Sequence, residues 1–554
     1  MSLVELCAAR AAAGCDVEDI AAFATCLPVE AMAHVWRHML PAKLRALELF
    51  LSSNDPLLDA MQLAWRDRIV LDGASLSHRL DAAEAFANAS ETTTFISTTT
   101  ITSSYREAYW EHQFRQRLAD HDVHQTNASN QEDHMIPLAL FQGVVRQVKV
   151  RGSEMTQANV DRMLALRSIE RIELHHIQLN DATSDLLSLL VTGLPALREV
   201  CILHSKLPSI APLLRALSRP LGVLGFASVK LSAMALRDLV QAIDTKALQV
   251  RRLRLNNSVA DLDGVSGLVR VGSCGPDSLV LQFNELEDDA LQELHAPATL
   301  HRLSLSHNCL TDVAPLARCS QLRALDLSGN ELGDAGAATL ATAVLPQLFH
   351  LQELYVVACA FTDVGGGALL AALATTNPAL HTLNLSRNYG GPAFSVSLAA
   401  FVAAMGSLRR LHANSIGLGE TPHAALLNAL SDNASLQEVS FGENRLRSRG
   451  AAALFAALWT RAASAPFAAI DLRGNLITDD GLIAMAATTT GRKRKAVALL
   501  TEGVSSRIEA LNLQDNPFST AVHATALPQL RAQVGRVLWS GHRPAASVAY
   551  DDEA

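Results

Sequence analysis

Residues 322–340, LRALDLSGNELGDAGAATL, constrain the fold more than any other stretch, because their pattern recurs to the end of the chain. The segment reads L-x-x-L-x-L-x-x-N-x-L followed by a helical tail. Leu322, Leu325, Leu327 and Leu332 are expected to point inward from a short strand and its flanks. Asn330 has an amide that can serve backbone groups in the turn, and Gly333 and Gly336 ease the bend into a helix. One such unit cannot bury its own apolar face, so the pattern requires stacked neighbours.

Copies start at Leu300, Leu351, Leu380, Leu408, Leu436, Phe467 and Ile508, and weaker ones at Val145, Ile169, Leu197, Leu221, Val250 and Pro276. With Leu322 these are fourteen units over residues 138–520, spaced about 28 residues apart. The array is read as an α/β leucine-rich-repeat solenoid with parallel strands inside and helices outside. Units with Asp-x-Gly turns such as GDAG and TDVGG resemble the ribonuclease-inhibitor class. There, helices about 8 to 10 Å apart stack behind strands about 4.8 Å apart, which implies a curved horseshoe or arc. The asparagine is kept at 284, 308, 330, 388, 444, 475 and 516, replaced by Cys359, and broken at Ile416. Upstream, Ser153, Ile177, Ser205, Val229 and Ser258 stand in its place, so the first five units are less regular. A cap and tail, 521–554, are expected to follow, with a helix over 527–538.

Strand alternation puts one set of side chains on the concave face, among them His175, Arg254, Tyr355, His412 and Arg473. The set is mixed in sign, which suits a folded or peptide partner of unknown identity.

Residues 1–87 have helical periodicity, proline-started segments and no L-x-L strands, and are read as an all-helical module. In SLVELCAARA, Leu3, Cys7 and Ala11 share one helical stripe. The segment resembles the BC box, the elongin BC-binding helix of cullin-RING ubiquitin ligase receptors, and the implied mode is helix-in-groove. Residues 27–69, opened by Leu27 and Pro28, resemble an F-box-like helical segment. Elongin A and repeat proteins of the PRAME and ZYG-11 kind share this order of motifs. Ala11 departs from the usual larger aliphatic residue, and Val29-Glu30 does not give the L-P-x-P cullin box. The resemblance implies a substrate-receptor subunit bound to elongin BC and a cullin, with targets held by the array. Alternatives are an F-box-type receptor and a repeat scaffold whose helical module only caps the first unit.

Residues 88–137, rich in Thr, Ser, Asn and His, are read as an insertion holding one amphipathic helix around Tyr105, Tyr109, Trp110, Phe114 and Leu118. That helix either packs on the repeats or meets a partner. The long thirteenth unit contains the basic loop 491–495, either a solvated loop or a nuclear signal. A net charge of −9 and pI near 6.1 give no footprint for nucleic acid, and no apolar run suggests a membrane span. Eight cysteines without a C-x-x-C pair fit the cytosol or nucleus. No cofactor or metal site is expected. The absence of a P-loop excludes nucleotide-sensing receptors as a full-length match, and no catalytic motif points to an enzyme. A further alternative is a Ran-type GTPase-activating protein, which uses similar repeats and a repeat-borne arginine. Those proteins carry a long acidic tail, for which Asp551-Asp552-Glu553 is a poor match.

Overall fold

In a computed structural model, the described residues are Tyr105–Ala119, most of 138–519, 525–539, and isolated positions between 35 and 61 and at 522. Leu3, Cys7, Ala11, Leu27, Pro28 and the basic loop after Gly491 lie outside them. The chain divides into two compact units, Met1–Ala260 and Asp261–Ala554.

In the first unit five strands, β1 (Gln147–Arg151), β2 (Arg171–His175), β3 (Glu199–Leu203), β4 (Leu221–Ala227) and β5 (Val250–Asn256), pair in parallel and in chain order. Parallel neighbours need a crossover connection. It is supplied by helices such as Asp181–Gly193 and Ala233–Asp244, whose first turns are capped by Asn180 and Ser232.

The second unit holds β6 (Ser278–Val280), β7 (Arg302–Ser304), β8 (Ala324–Asp326), β9 (Glu353–Tyr355) and β10 (Thr382–Asn384). It continues with β11 (Arg410–His412), β12 (Glu438–Ser440), β13 (Phe467–Asp471), β14 (Ile508–Asn512) and β15 (Arg536–Leu538). These too pair in parallel, each with its successor. The inward leucines form the core: Leu322, Leu325 and Leu327 are fully buried, as are Leu351, Leu354, Leu380 and Leu383.

The asparagine ladder explains why strands of three residues suffice. Asn308 Nδ2 donates to the carbonyls of Leu281 and Leu305, and its Oδ1 accepts from the N–H groups of Asn284 and Leu286. Asn330, Asn444, Asn475 and Asn516 repeat the arrangement, so each turn's buried backbone is served by an amide of its own unit or the next. Cys359 substitutes weakly, its Sγ 3.3 Å from the Leu327 carbonyl. At Ile416 the break is bridged two residues earlier, where Asn414 Oδ1 accepts from Ser440 Oγ and Gly442 N–H. In the first unit Ser205 and Ser258 accept one N–H and return one hydroxyl bond each. The serine positions thus keep a shorter version of the same device.

Two sequence expectations change. The helical tail expected after Leu332 is α-helical only over Gly333–Thr339; it widens to a π turn at Leu340–Val344 and tightens at Leu345–Gln347. Pro346 is the physical reason, because it has no N–H to give and its ring crowds the preceding turn. The terminal helix, expected over 527–538, ends at Arg531, and residues 536–538 form β15 against Ala510–Asn512.

The helix expected within the insertion, α1 (Tyr105–Ala119), packs on the first unit. Trp110 and Phe114 meet Phe141 at ring-centroid distances of 5.3 and 5.4 Å. Glu111 Oε1 accepts the Gln147 N–H at 3.1 Å, and Arg146 stands 3.8 Å from Glu107, so α1 holds the start of edge strand β1. Upstream, Trp36, Met39, Leu44, Leu47 and Met61 are buried, and Arg45 donates to the Gln142 carbonyl at 3.4 Å.

Candidate functional site

The sheet face turned away from the crossover helices carries the side chains that alternation leaves out of the core. His175 and Arg254 lie on it in the first unit, on β2 and β5. Tyr355 and His412 lie on it in the second, two strands apart on β9 and β11, with Asn384 registered between them. Arg473 lies just past β13. Of the five residues predicted from alternation, two therefore belong to the first unit and three to the second.

The two groups differ in character. In the second unit the face is a network of fixed polar contacts. Ser304 Oγ donates to Asp326 Oδ2 at 2.9 Å, Tyr355 OH donates to Glu353 Oε2 at 3.3 Å, and Ser440 Oγ stands 3.1 Å from Asp471 Oδ2. Burial pushes the Asp326 and Asp471 carboxyls up, against the hydrogen bonds they accept. Burial also pushes the His412 imidazole down to about 4, with Arg410 acting in the same direction, so His412 is neutral at physiological pH. Tyr355 is itself buried. Arg473 Nε stands 3.7 Å from Asp471 and 3.9 Å from Glu443, half-exposed at the edge of the network.

In the first unit the face is charged. Glu173 is held between Lys149, at 3.1 Å, and Arg171, at 2.6 Å, and Arg171 also reaches Glu199 at 3.5 Å. Burial raises the Glu173 carboxyl, but Lys149 and Arg171 more than offset it, and its pKa is held below the ordinary carboxylate value. His175 Nε2 stands 3.6 Å from Glu173, yet burial keeps the imidazole below its usual value. Burial likewise lowers the Arg254 guanidinium.

Two features escaped the sequence reading. Gly225, in LGVLGFA, occupies a position on the open face that other strands fill with a side chain; a glycine inside a strand pattern is the signal that could have found it. The other is a set of left-handed residues in the turns that follow the strands, including His176, His204, Phe283 and His307. The rings of Phe283 and His307 stack at 4.3 Å, and Gly329, also left-handed, leaves room for His307. Among the described residues no three His, Cys, Asp or Glu side chains converge as metal ligands, and no helix is long and apolar enough to cross a membrane.

Comparison with known proteins finds leucine-rich repeats in parts of this chain. Family models for leucine-rich repeats match residues 298–337, as two copies, and 469–486, as one. The ribonuclease inhibitor of Sus scrofa is 32% identical over 188 residues, covering 32% of this chain and 41% of the inhibitor. The NACHT, LRR and PYD domains-containing protein 3 of Macaca mulatta is 29% identical over 228 residues, covering 38% of this chain and 22% of that protein. The matches thus span less than half the length of these curated relatives. An internalin from Listeria monocytogenes aligns structurally over 78% of this chain and 95% of its own, with 16% identity and a TM-score of 0.37.

Proposed function

We propose that this leucine-rich-repeat protein, with repeats like those of ribonuclease inhibitor, is a recognition subunit that holds a protein partner on the open face of its sheet. The observation that carries the reading is the polar network of the second unit. Ser304–Asp326, Glu353–Tyr355 and Ser440–Asp471 are fixed before any partner arrives, so little side-chain entropy is lost on binding. Catalysis, where the assembly performs any, belongs to other chains.

The order Leu3, Cys7, Ala11 and then Leu27-Pro28 favours a finer reading, in which the N-terminal module docks elongin BC and a cullin and the array presents targets for ubiquitin transfer. The buried Trp36, Met39 and Leu44, with Arg45 reaching Gln142, favour a module that caps the array, and capping and docking are compatible on opposite faces. The cytosol or nucleus is the proposed compartment; Cys201, Cys309, Cys319 and Cys359 are free thiols.

The test is affinity capture from cytosol with three proteins: the parent, a double His412→Glu, Arg473→Glu variant, and a double Leu3→Arg, Cys7→Arg variant. Partners lost with the face variant, while its thermal unfolding stays that of the parent, support recognition by the open face. Elongin BC and a cullin lost only with the Leu3 and Cys7 variant support the ligase reading. A face variant that keeps every partner overturns recognition by this part of the face.

A further inference from the structure

The open face of the first unit contains a depression of about 170 Å³ lined by Arg171, Glu173, Cys201, Gly225, Arg254 and Asn256. Strand β4 creates it. Its outward residues Val223, Gly225 and Ala227 are small, and they lie in register between Glu199, Cys201 and Leu203 on one side and Arg252, Arg254 and Asn256 on the other. A side chain at position 225 would close the gap: its Cβ would stand 3.2 Å from Cys201 Sγ and 3.8 Å from the Arg254 Cβ.

The charge around this depression is unbalanced. The registered outward positions bring Lys149, Arg151, Arg171, Arg252 and Arg254 together with Glu173 and Glu199, five basic side chains against two acidic. The matching positions of the second unit carry Arg302, Arg410 and Arg536 against Asp326, Glu353, Glu438 and Asp471, three against four. A chain of net charge −9 repels acidic partners in general. Local excess positive charge around a recess therefore focuses them on this face.

We propose that the depression receives a glutamate side chain from an acidic segment of the protein partner. The carboxylate lies against Arg254 and Arg171 above Gly225, and the methylenes lie on Leu203 and Ala227, which also line the depression. Glu173 and Glu199 sit within the basic cluster and repel any anion, so a group of charge about −2 such as a phosphoryl meets about twice the repulsion that a single carboxylate does. The inference rests on the recognition reading above and names the chemistry of its partner.

The experiment uses the full chain and a fluorescein-labelled peptide containing six consecutive glutamates, with binding followed by fluorescence anisotropy at low and physiological salt. The expected result is salt-sensitive binding, weakened about tenfold by Arg254→Ala and similarly by Gly225→Leu, and changed less than about twofold by Arg449→Ala, which removes an exposed arginine from the helix Arg447–Arg461. Circular dichroism confirms that each variant is folded, and Arg254→Lys, which keeps the charge and the chain path, is expected to restore part of the affinity. No binding of the peptide at low salt, or equal binding by parent and Arg254→Ala, overturns the proposal. Displacement of the peptide by inorganic phosphate at lower concentration than by acetate overturns the carboxylate assignment. A cellular partner lost with the His412→Glu, Arg473→Glu variant but retained by Arg254→Ala overturns the inference and leaves recognition by the open face standing.

Discussion

Single residues fix this fold through hydrogen bonds that apolar packing cannot supply. Asn444 Oδ1 accepts the N–H groups of Ile416 and Leu418, and its Nδ2 donates to the carbonyls of Ala413 and Gly442, all in the buried interior. Asn444→Ala leaves these groups unpaired and is expected to cost about 2 to 4 kcal/mol, read as a lower denaturant midpoint. Asn444→Ser should recover part of the loss, since Ser205 and Ser258 perform half of the same task. Glu111 sets a pH dependence. Burial raises its carboxyl from 4.5 to about 8, Glu107 adds to the rise, and the Gln147 N–H bond and Lys149 oppose it. A raised carboxyl favours the folded state fully below its unfolded pKa, and that contribution is lost as pH rises through the folded value. The hold of α1 on β1 should therefore weaken between about pH 4.5 and 8, as reported by Trp110 fluorescence and exchange of the Gln147 amide, and Glu111→Gln should flatten the profile. A carboxylate of opposite sign of shift is Asp334, which the Thr362 N–H and hydroxyl and the Gly365 N–H hold below the ordinary value. Its contribution is present at neutral pH and fades as pH falls below the usual carboxylate range.

Elements follow the same division between what is local and what is not. The leucine positions were legible because each side chain repeats its own environment in every unit, and the asparagine could be assigned to the turn because only an amide both donates and accepts there. The π turn before Pro346 was legible in principle, since the proline was in view. Strand β15 was not, because Arg536–Leu538 lacks the leucine pattern and is a strand only by pairing with Ala510–Asn512. The depression over Gly225 depends on the register of three strands, which no single segment encodes. Helix α1 shows what an element does beyond its own sequence. It covers the start of β1, the first strand of the sheet among the described residues, and an uncovered strand edge is a template for association. Trp110 is fully buried between Tyr109 and Phe141. Trp110→Ala is expected to destabilise the α1 contact by about 3 to 5 kcal/mol and to raise self-association, measured by light scattering at increasing concentration.

At the scale of the whole chain, an array of this kind has stability close to a sum of unit and nearest-neighbour terms, so a local change in the ladder should change local unfolding. The second unit links seven amide-bearing asparagines through Asn284, Asn308, Asn330, Asn388, Asn444, Asn475 and Asn516, with Asn414 bridging the break at Ile416. The first unit has Ser205 and Ser258 in that role, and Ile177 and Val229 bring no polar atom between them, although their own N–H groups are met by those serines. It gains elsewhere: β4 and β5 are each seven residues long and share six registered pairs, against three residues for most strands of the second unit. Longer strands supply backbone bonds that open one by one from their ends, whereas a buried amide must lose several bonds at once. Turn amides such as Ile177 and Val229 should therefore exchange with deuterium faster than Leu310, Ile416 and Asn475 in native conditions, by about ten- to a hundredfold if the difference is about 1.4 to 2.8 kcal/mol of opening free energy. Peptide-resolved hydrogen exchange measures this directly. Equal protection of both sets would mean that strand length compensates fully for the missing amides. In that case Asn444→Ala should also prove far milder than the ladder implies, which ties the molecular prediction to the residue that generates it.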